Sequence, residues 1–388
     1  MARYTSVSFP GHAPVSLKFS DTDRLYAKVM ERTSAELRDL IGIESYEELH
    51  RRADSRGVSV HAFLRAELEN ALAGGRPYVY RGWPAGSLKS EQDARAVVRA
   101  AKARSFLDPF AGRANYAGAA ASEGLRSFYC EISPVFRVIA AARLAALSMT
   151  RDARRRAAAE LRAFEPAAKS LVQLQGAIVH AGRWPVPDLL RAVVAEALPR
   201  TPGELTMAKL NEALSAEIRD AAAFVEQEPL IANRPQLVCE DARDLALFDP
   251  LDVELVVTNP PSLNFRSYAQ PLAAAFLGVQ KTRAERSLAT HAANEVLAIP
   301  QIVRNVAAVN RRDRRMGRVV ANYFVDLADA FRAVSHHMSH RATIAVEIED
   351  STVAGVHVDT RQHTIEIVES LGFSLKTNGG RFLLFKRR

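Results

Sequence analysis

The sequence predicts an α/β fold, a doubly wound and mostly parallel sheet that ends in an antiparallel hairpin. Three observations carry that expectation. Five short apolar runs with strand character, at 105–108, 127–130, 236–239, 255–258 and 342–348, are separated by stretches with helical spacing. The first run ends in a tight turn containing Gly112, and the second ends in an acid, Glu131. The last two apolar runs, 373–376 and 381–386, flank Thr377-Asn378-Gly379-Gly380, where Asn-Gly signals a hairpin.

Length and composition set the bounds. At 388 residues there is room for one large domain with additions, or for two. A hydrophobic share of 48% with 25% charged residues is that of a globular chain able to bury a sizeable core. A net charge of +8 and a pI near 9.6 favour a polyanionic partner such as nucleic acid, although an Arg-rich surface with no such partner has the same charge. The two cysteines, Cys130 and Cys239, form neither a disulfide framework nor a zinc spacing, so the expected setting is a reducing cytoplasm and no metal is expected. Residues 1–10 lack the apolar core of a signal peptide, and no charge-free run is long enough to span a membrane.

Four regions follow along the chain. Residues 1–75 read as helical, with helices over 21–41, 46–56 and 60–73 separated by Gly42 and Gly57. This region would serve DNA contact, dimer contact or cover for the sheet. Residues 76–149 hold the first part of the core. A Gly/Pro loop at 76–88 carries Tyr78, Tyr80 and Trp83, and Ser90 with Asp93 reads as a capping box for a helix to 103. The first strand then runs into Asp108-Pro109-Phe110-Ala111-Gly112-Arg113-Ala114-Asn115 and an Ala-rich helix. A turn of this kind presents backbone N–H groups to a ligand. Glu131, about twenty residues on, is placed to hydrogen-bond a ribose.

Residues 150–235 break the alternation and read as an all-helical insertion. Arg151, Arg154, Arg155, Arg156 and Arg162 lie on its first helix, as a solvated face or as phosphate contacts. Thr201-Pro202-Gly203-Glu204 reads as a capped start for its last helix. Residues 236–388 resume the sheet. Leu255-Val256-Val257-Thr258 runs straight into Asn259-Pro260-Pro261-Ser262. Neither proline donates a backbone hydrogen bond, and the first restrains Asn259 to an extended or turn conformation. The result is a rigid corner at a strand end that presents a carboxamide and bare carbonyls. It reads either as a loop start or as a site for a planar amino group, with one N–H to the Asn259 side chain and the other to the Pro260 carbonyl. The segment 262–318 is polar and ends in a flexible basic stretch with Arg311, Arg312, Arg314, Arg315 and Arg318 around Asp313. It reads as an exposed helix end or as phosphate contacts.

These motifs resemble the S-adenosylmethionine-dependent amino-methyltransferases of DNA, which act on adenine N6 or cytosine N4. The resemblance covers about 76–140 and 236–388. It implies a Rossmann-like methyltransferase sheet, S-adenosylmethionine as cofactor and DNA as partner, with base flipping into the site. On this resemblance Asp108, Pro109, Phe110, Ala111 and Gly112 form the cofactor loop. Glu131 and Ile132 hold the ribose side, Asp241 and Ala242 lie near the adenine, and Asn259-Pro260-Pro261-Ser262 is the catalytic motif. Asn264, Ser267-Tyr268, Tyr323-Phe324-Val325-Asp326-Leu327 and Asp350-Ser351-Thr352-Val353-Ala354-Gly355 are similar to motifs of the cytosine-N4 branch, whereas an Asn at the first motif position is the adenine pattern.

Two departures stand out. The family loop continues with glycine and small residues where this chain has Arg113-Ala114, which places bulk near the methionine end. The family's fourth motif residue is aromatic and stacks on the base, where this chain has Ser262. Phe265, Tyr268 or Tyr323 would then supply the stacking face, and Arg311, Arg312, Arg314 and Arg315 the phosphate contacts. The competing expectations are methylation of guanine N2 in RNA or of a glutamine amide, and a methylase-like subunit that binds DNA or a partner without turnover. A homodimer or a partner subunit is compatible with all of them.

Overall fold

The structure is a computed structural model and describes residues 4–7, 15–18, 89–198, 206–263, 271–279, 297–378 and 382–388. The chain divides into two units, Met1–Gly82 and Trp83–Arg388. In the first unit, strands β1 (Tyr4–Val7) and β2 (Val15–Lys18) pair antiparallel, with Tyr4 opposite Lys18 and Val7 opposite Val15. This corrects the helical reading at the start of 1–75. Tyr, Thr and Val in β1 and alternating Val and Leu in β2 favour extended backbone, and Pro10 and Pro14 between them interrupt any helix. The helices expected over 21–73 and the aromatic loop at 76–88 lie outside the described residues.

The second unit holds a seven-stranded sheet. Its strands are β3 (Ser105–Asp108), β4 (Arg126–Cys130), β5 (Gln236–Cys239), β6 (Val253–Thr258), β7 (Met338–Glu347), β10 (Phe373–Thr377) and β11 (Phe382–Arg387). They lie in the order β10-β11-β7-β6-β3-β4-β5. Five strands are parallel, and β11 and β10 join antiparallel at one edge. The expected doubly wound sheet with a terminal hairpin is therefore present. The remaining strands, β8 (Ser351–Val353) and β9 (Val356–Val358), form a small hairpin after β7. Ala354 and Gly355 turn that hairpin at φ 50° and 74°.

Parallel strands are buried on both faces, which is why Phe106-Leu107 in β3 and Leu255-Val256-Val257 in β6 are consecutive apolar residues without alternation. Phe106, Tyr129, Leu255 and Val257 face one core, and Leu107, Phe128, Val256 and Ile344 face the other. The first core is covered by α1 (Lys89–Ala101), α2 (Asn115–Ser122), α3 (Pro134–Leu147) and the helices between β4 and β5. These are α4 (Arg151–Ala163), α5 (Leu171–Val179), α6 (Val186–Ala197) and α7 (Met207–Gln227), whose Leu161, Leu174, Leu189 and Leu214 belong to that same core. The added helices are thus packed into the sheet's own interior. Thr206 caps α7 by accepting from the Lys209 N–H at 3.3 Å, so this helix begins later than the Thr201 start read from the sequence. On α4 the arginines are mostly engaged. Arg154 is buried and donates to the carbonyls of Val225 and Glu228, Arg162 pairs with Glu226, and Arg155 lies 3.9 Å from Asp152.

A short α8 (Pro271–Leu277) follows β6, and the second core is covered by α9 (Pro300–Arg312), α10 (Arg314–His336) and α11 (Thr360–Ser370). The stretch read as flexible and basic is an ordered helix–helix corner. Asp313 ends α9 and caps α10, accepting from the N–H groups of Arg315 at 2.8 Å and Met316 at 3.0 Å. A side-chain acceptor at that position satisfies two of the otherwise unpaired N-terminal donors. The helices close tightly at Gly317, where a Cβ would lie 3.0 Å from Asn310 Cα and closer still to the Asn310 side chain. Gly317→Ala is expected to cost about 1–3 kcal/mol through overpacking. It should lower the urea midpoint, and adding Asn310→Ala should restore part of the loss.

Candidate active site

The chain leaves β3 outward through β4 to β5 and then returns to β6 on the other side of β3. The loops after β3 and β6 therefore diverge at the C-terminal ends of two neighbouring strands, where open α/β sheets bind ligands. Phe106 pairs with Leu255 and Leu107 with Val256, so the two loops leave the sheet about 5 Å apart.

Asp108 ends β3 at 2% exposure. Its Oδ1 accepts from the Thr258 hydroxyl of β6 at 2.7 Å and from the Phe110 N–H at 3.2 Å. Burial outweighs these bonds and pushes its carboxyl up to about 7. The turn that follows is tied to the end of β4. The Ala111 N–H donates to the Cys130 carbonyl at 3.1 Å, and the Gly112 N–H to Glu131 Oε2 at 2.6 Å. Glu131 is 7% exposed, its other oxygen accepts from the Ser133 N–H at 2.7 Å, and burial pushes it up to about 8. Gly112 turns at φ +53°, and a Cβ there would meet nothing within 4 Å, so the space beside the turn is open. Pro109 is buried and Ile132 half-buried. Phe110 is set edge-on to Phe331 of α10 with ring centroids 6.4 Å apart.

Ala114 precedes α2 in the left-handed conformation and offers no side-chain cap, so the first N–H groups of this helix have no side-chain acceptor from the cap position. The bulk expected at Arg113 is drawn away. Its guanidinium pairs with buried Glu196 of α6 and lies 5.6 Å from the Phe136 ring centroid. Asn115 Oδ1 accepts from Arg143 at 2.9 Å, and Arg143 stacks over Phe224 of α7 at 4.3 Å. Tyr116 donates its hydroxyl to Glu347 at the end of β7. In β6 and its corner, Thr258 and Pro260 are buried, Pro261 is half-buried, and Asn259 and Ser262 are exposed. The Asn259 carboxamide thus stands on an anchored backbone beside the Asp108 turn.

Other expected residues are placed less simply. Asp241 is buried and engaged by Arg243, with a guanidinium contact at 2.6 Å and a main-chain contact at 3.0 Å. Arg243 also reaches Asp326 of α10 at 2.6 Å. The Asp241 carboxylate is therefore held by protein, and Ala242 is buried at the start of the 3-10 turn Ala242–Leu247. Tyr323 lies edge-on to Phe324 with centroids 5.1 Å apart, and burial pushes its phenol well up. Phe265 and Tyr268, with Asn264, lie outside the described residues. Arg311, Arg312, Arg314 and Arg315 are all exposed, and among the described residues none of them is in an ion pair. Because α10 runs back toward the start of β7, its Arg314 end lies on the strand-end side, about 18 Å along the helix from Asp326. No group of three or more His, Cys, Asp or Glu among the described residues is arranged to hold a metal ion, and no described helix is long and apolar enough to cross a membrane.

Thr258, Tyr116, Glu347, Glu196, Arg143 and Arg243 were not singled out from the sequence. Thr258 had a signal, since a hydroxyl inside an otherwise apolar strand needs a buried partner. The others are joined by contacts 28 to 231 positions apart, or by a loop bond without a motif.

No family model matches the chain, and no characterised protein was found to match it. Among solved structures, two of the rRNA methyltransferase aviRa from Streptomyces viridochromogenes are similar to it. One has 14% identity, covers 79% of this chain and 86% of that one, and has a TM-score of 0.31. The other has 14% identity, covers 80% and 88%, and has a TM-score of 0.29.

Both buried acids titrate above their ordinary values of 3.8 and 4.5. The folded chain therefore holds protons that the unfolded chain has lost, and stability falls as pH rises. The contribution is full below about pH 4 and lost through about 7 for Asp108 and about 8 for Glu131. Urea midpoints measured from about pH 5 to 9 should decline in the wild-type chain, and less so in Asp108→Asn and Glu131→Gln. Parallel declines in all three proteins would show that other groups set the slope.

Proposed function

We propose that this protein is an S-adenosylmethionine-dependent methyltransferase acting on an exocyclic amino group of a DNA base, cytosine N4 or adenine N6. One observation carries the reading: the Asp108–Glu131 turn and the Asn259-Pro260-Pro261 corner meet at the switch point, joined by the bond from Thr258 to Asp108. The residues on the cofactor side fit such a ligand. Each Glu131 oxygen accepts one backbone N–H, and in its ionised form the carboxylate keeps acceptor capacity for the two hydroxyls of a ribose. The start of α2, with no side-chain cap, favours a carboxylate through the dipole of the helix. Open space at Gly112 lets a ligand approach the backbone. With Asp241 held by Arg243, contact with an adenine ring falls to Ile132 and to the main chain at Asp241 and Ala242.

Bound S-adenosylmethionine supplies a methyl group on a positively charged sulfur. On the acceptor side, the Asn259 side-chain oxygen and the Pro260 carbonyl each accept an N–H of the target amine. That holds the nitrogen lone pair in line, and alignment supplies much of the rate. The prolines make the alignment rigid at no cost in backbone hydrogen bonds. No strong general base is required, since the proton leaves after nitrogen has become cationic. The exposed arginines at the α9–α10 corner bind phosphates on either side of the target. Guanine N2 in RNA is the competing acceptor. The exposed Ser262, which has no stacking face, favours the further alternative of a scaffold that binds without turnover. Calorimetry with S-adenosylmethionine tests the scaffold reading, which predicts no binding.

Nucleosides from the DNA and RNA of cells expressing the protein, read by mass spectrometry, should show a methylated cytosine or adenine in DNA. The same mark should be absent with Asn259→Ala. Methylguanine in RNA would reassign the acceptor, and a mark that persists in Asn259→Ala would remove the corner from the mechanism. Replacing Arg311, Arg312, Arg314 and Arg315 by Ala should weaken DNA binding and reduce the slope of log affinity against log salt by about 3–4. An unchanged salt slope would place the phosphate contacts elsewhere.

A further inference from the structure

The chain has two cysteines, and the fold brings them together. Cys130 ends β4 and Cys239 ends β5, 109 positions away. Their meeting depends on an irregularity in the sheet. Phe128 pairs with Gln236 and Tyr129 with Leu237, but the register then steps so that Cys130 faces Cys239 and Val238 is skipped. In regular pairing Cys130 would face Val238. The two residues are 0% and 7% exposed, and their sulfurs lie 3.0 Å apart. The Cys239 thiol donates to the Asp241 carbonyl at 3.2 Å, which leaves the Cys130 thiol as donor to Cys239 Sγ. Glu131 follows the first cysteine directly, and Asp241 lies two positions after the second.

We propose that Cys130 and Cys239 form a reversible disulfide that locks β4 to β5 and alters the ligand site carried by Glu131 and Asp241. The effect on ligand rests on the cofactor reading given above, whereas the bond itself does not. Neighbouring strands place the two Cα atoms about 5 Å apart, inside the range a disulfide spans. Closure shortens the sulfur separation by about 1 Å, to the bonded value near 2.05 Å. Access comes from the sheet edge. β5 is an edge strand of four residues with Gln236 and Leu237 exposed, so local opening can bare Cys239 while the rest of the sheet stays closed.

The oxidant is a low-molecular-weight disulfide. Cys239, as thiolate, attacks one sulfur of that disulfide and releases the other as a thiolate. Cys130 then attacks the Cys239 sulfur of the mixed disulfide and releases the second small thiolate. The protein loses two protons and two electrons, and one small disulfide becomes two small thiols. Closure removes the S–H that the Asp241 carbonyl accepts in the reduced form, so the backbone beneath Asp241 loses a partner as β4 and β5 draw together. The site changes at both of its acids.

The test uses the full chain equilibrated with reduced or oxidised glutathione. In the oxidised sample, thiols counted after denaturation should fall from two to none, the intact mass should drop by two hydrogens, and no glutathione adduct should remain. Cys130→Ser should instead retain glutathione on Cys239. Affinity for S-adenosylmethionine, measured by calorimetry, should then differ about tenfold or more between the two wild-type samples. Two thiols that stay free in excess oxidised glutathione overturn the disulfide. A disulfide that forms with no change in affinity overturns its link to the site. A disulfide in a protein that binds S-adenosylmethionine in neither state overturns the cofactor reading, and the effect on the site with it, while the bond stands.

Discussion

The bond from the Thr258 hydroxyl to the Asp108 carboxyl sits where the sheet changes direction, and the site depends on it. An acid at 2% exposure is tolerated only with a partner, because a buried polar group left without one costs about 1–3 kcal/mol. Thr258 is available as that partner only because β6 returns to lie beside β3. The same bond sets the first residue of the Asp108 turn against the strand that carries Asn259. Glu131 repeats the principle one strand away, buried and satisfied by two backbone N–H groups of the turn and the following loop. Two protonatable groups at the ends of neighbouring strands are thus held by the fold rather than by each other.

The helices added between β4 and β5 reinforce this arrangement from behind. Glu196 of α6 takes the Arg113 guanidinium, and Arg143 links Asn115 to the Phe224 ring of α7. These contacts flank Ala114, which holds a left-handed conformation that costs a residue with a Cβ about 1–2 kcal/mol. A position where glycine would be free of strain is kept by packing instead. The Arg113 side chain is thereby directed into the helical layer.

On the opposite face, one ion-pair chain aligns a helix with the site. Arg243 joins Asp241 at the end of β5 to Asp326 in α10. That pins the middle of α10 near the strand ends and carries its first turn, with Arg314 and Arg315, beyond them. The Asp313 cap and the close approach at Gly317 fix the backbone of the basic corner, from which the arginine side chains extend into solvent.

Apolar runs of strand length, the intervening helical periodicity, the Asp108 turn and the Asn259 corner all follow from neighbours in sequence. Local chemistry alone specifies them: prolines that restrain a corner, a glycine that permits a turn, β-branched residues that prefer a buried strand. The β1–β2 ribbon was legible in principle, through alternation on either side of Pro10 and Pro14, but four-residue strands carry too little pattern to compete with a helical reading. Only tertiary structure decided that Asp241 is engaged by Arg243, that Arg113 turns toward Glu196, that Tyr116 reaches Glu347 and that Cys130 meets Cys239. Several of these contacts join positions about 80 to 230 apart, and the last depends on a one-residue slip in strand register. Spacing along a chain cannot encode either, because both are set by which strands lie side by side and how their ends are aligned.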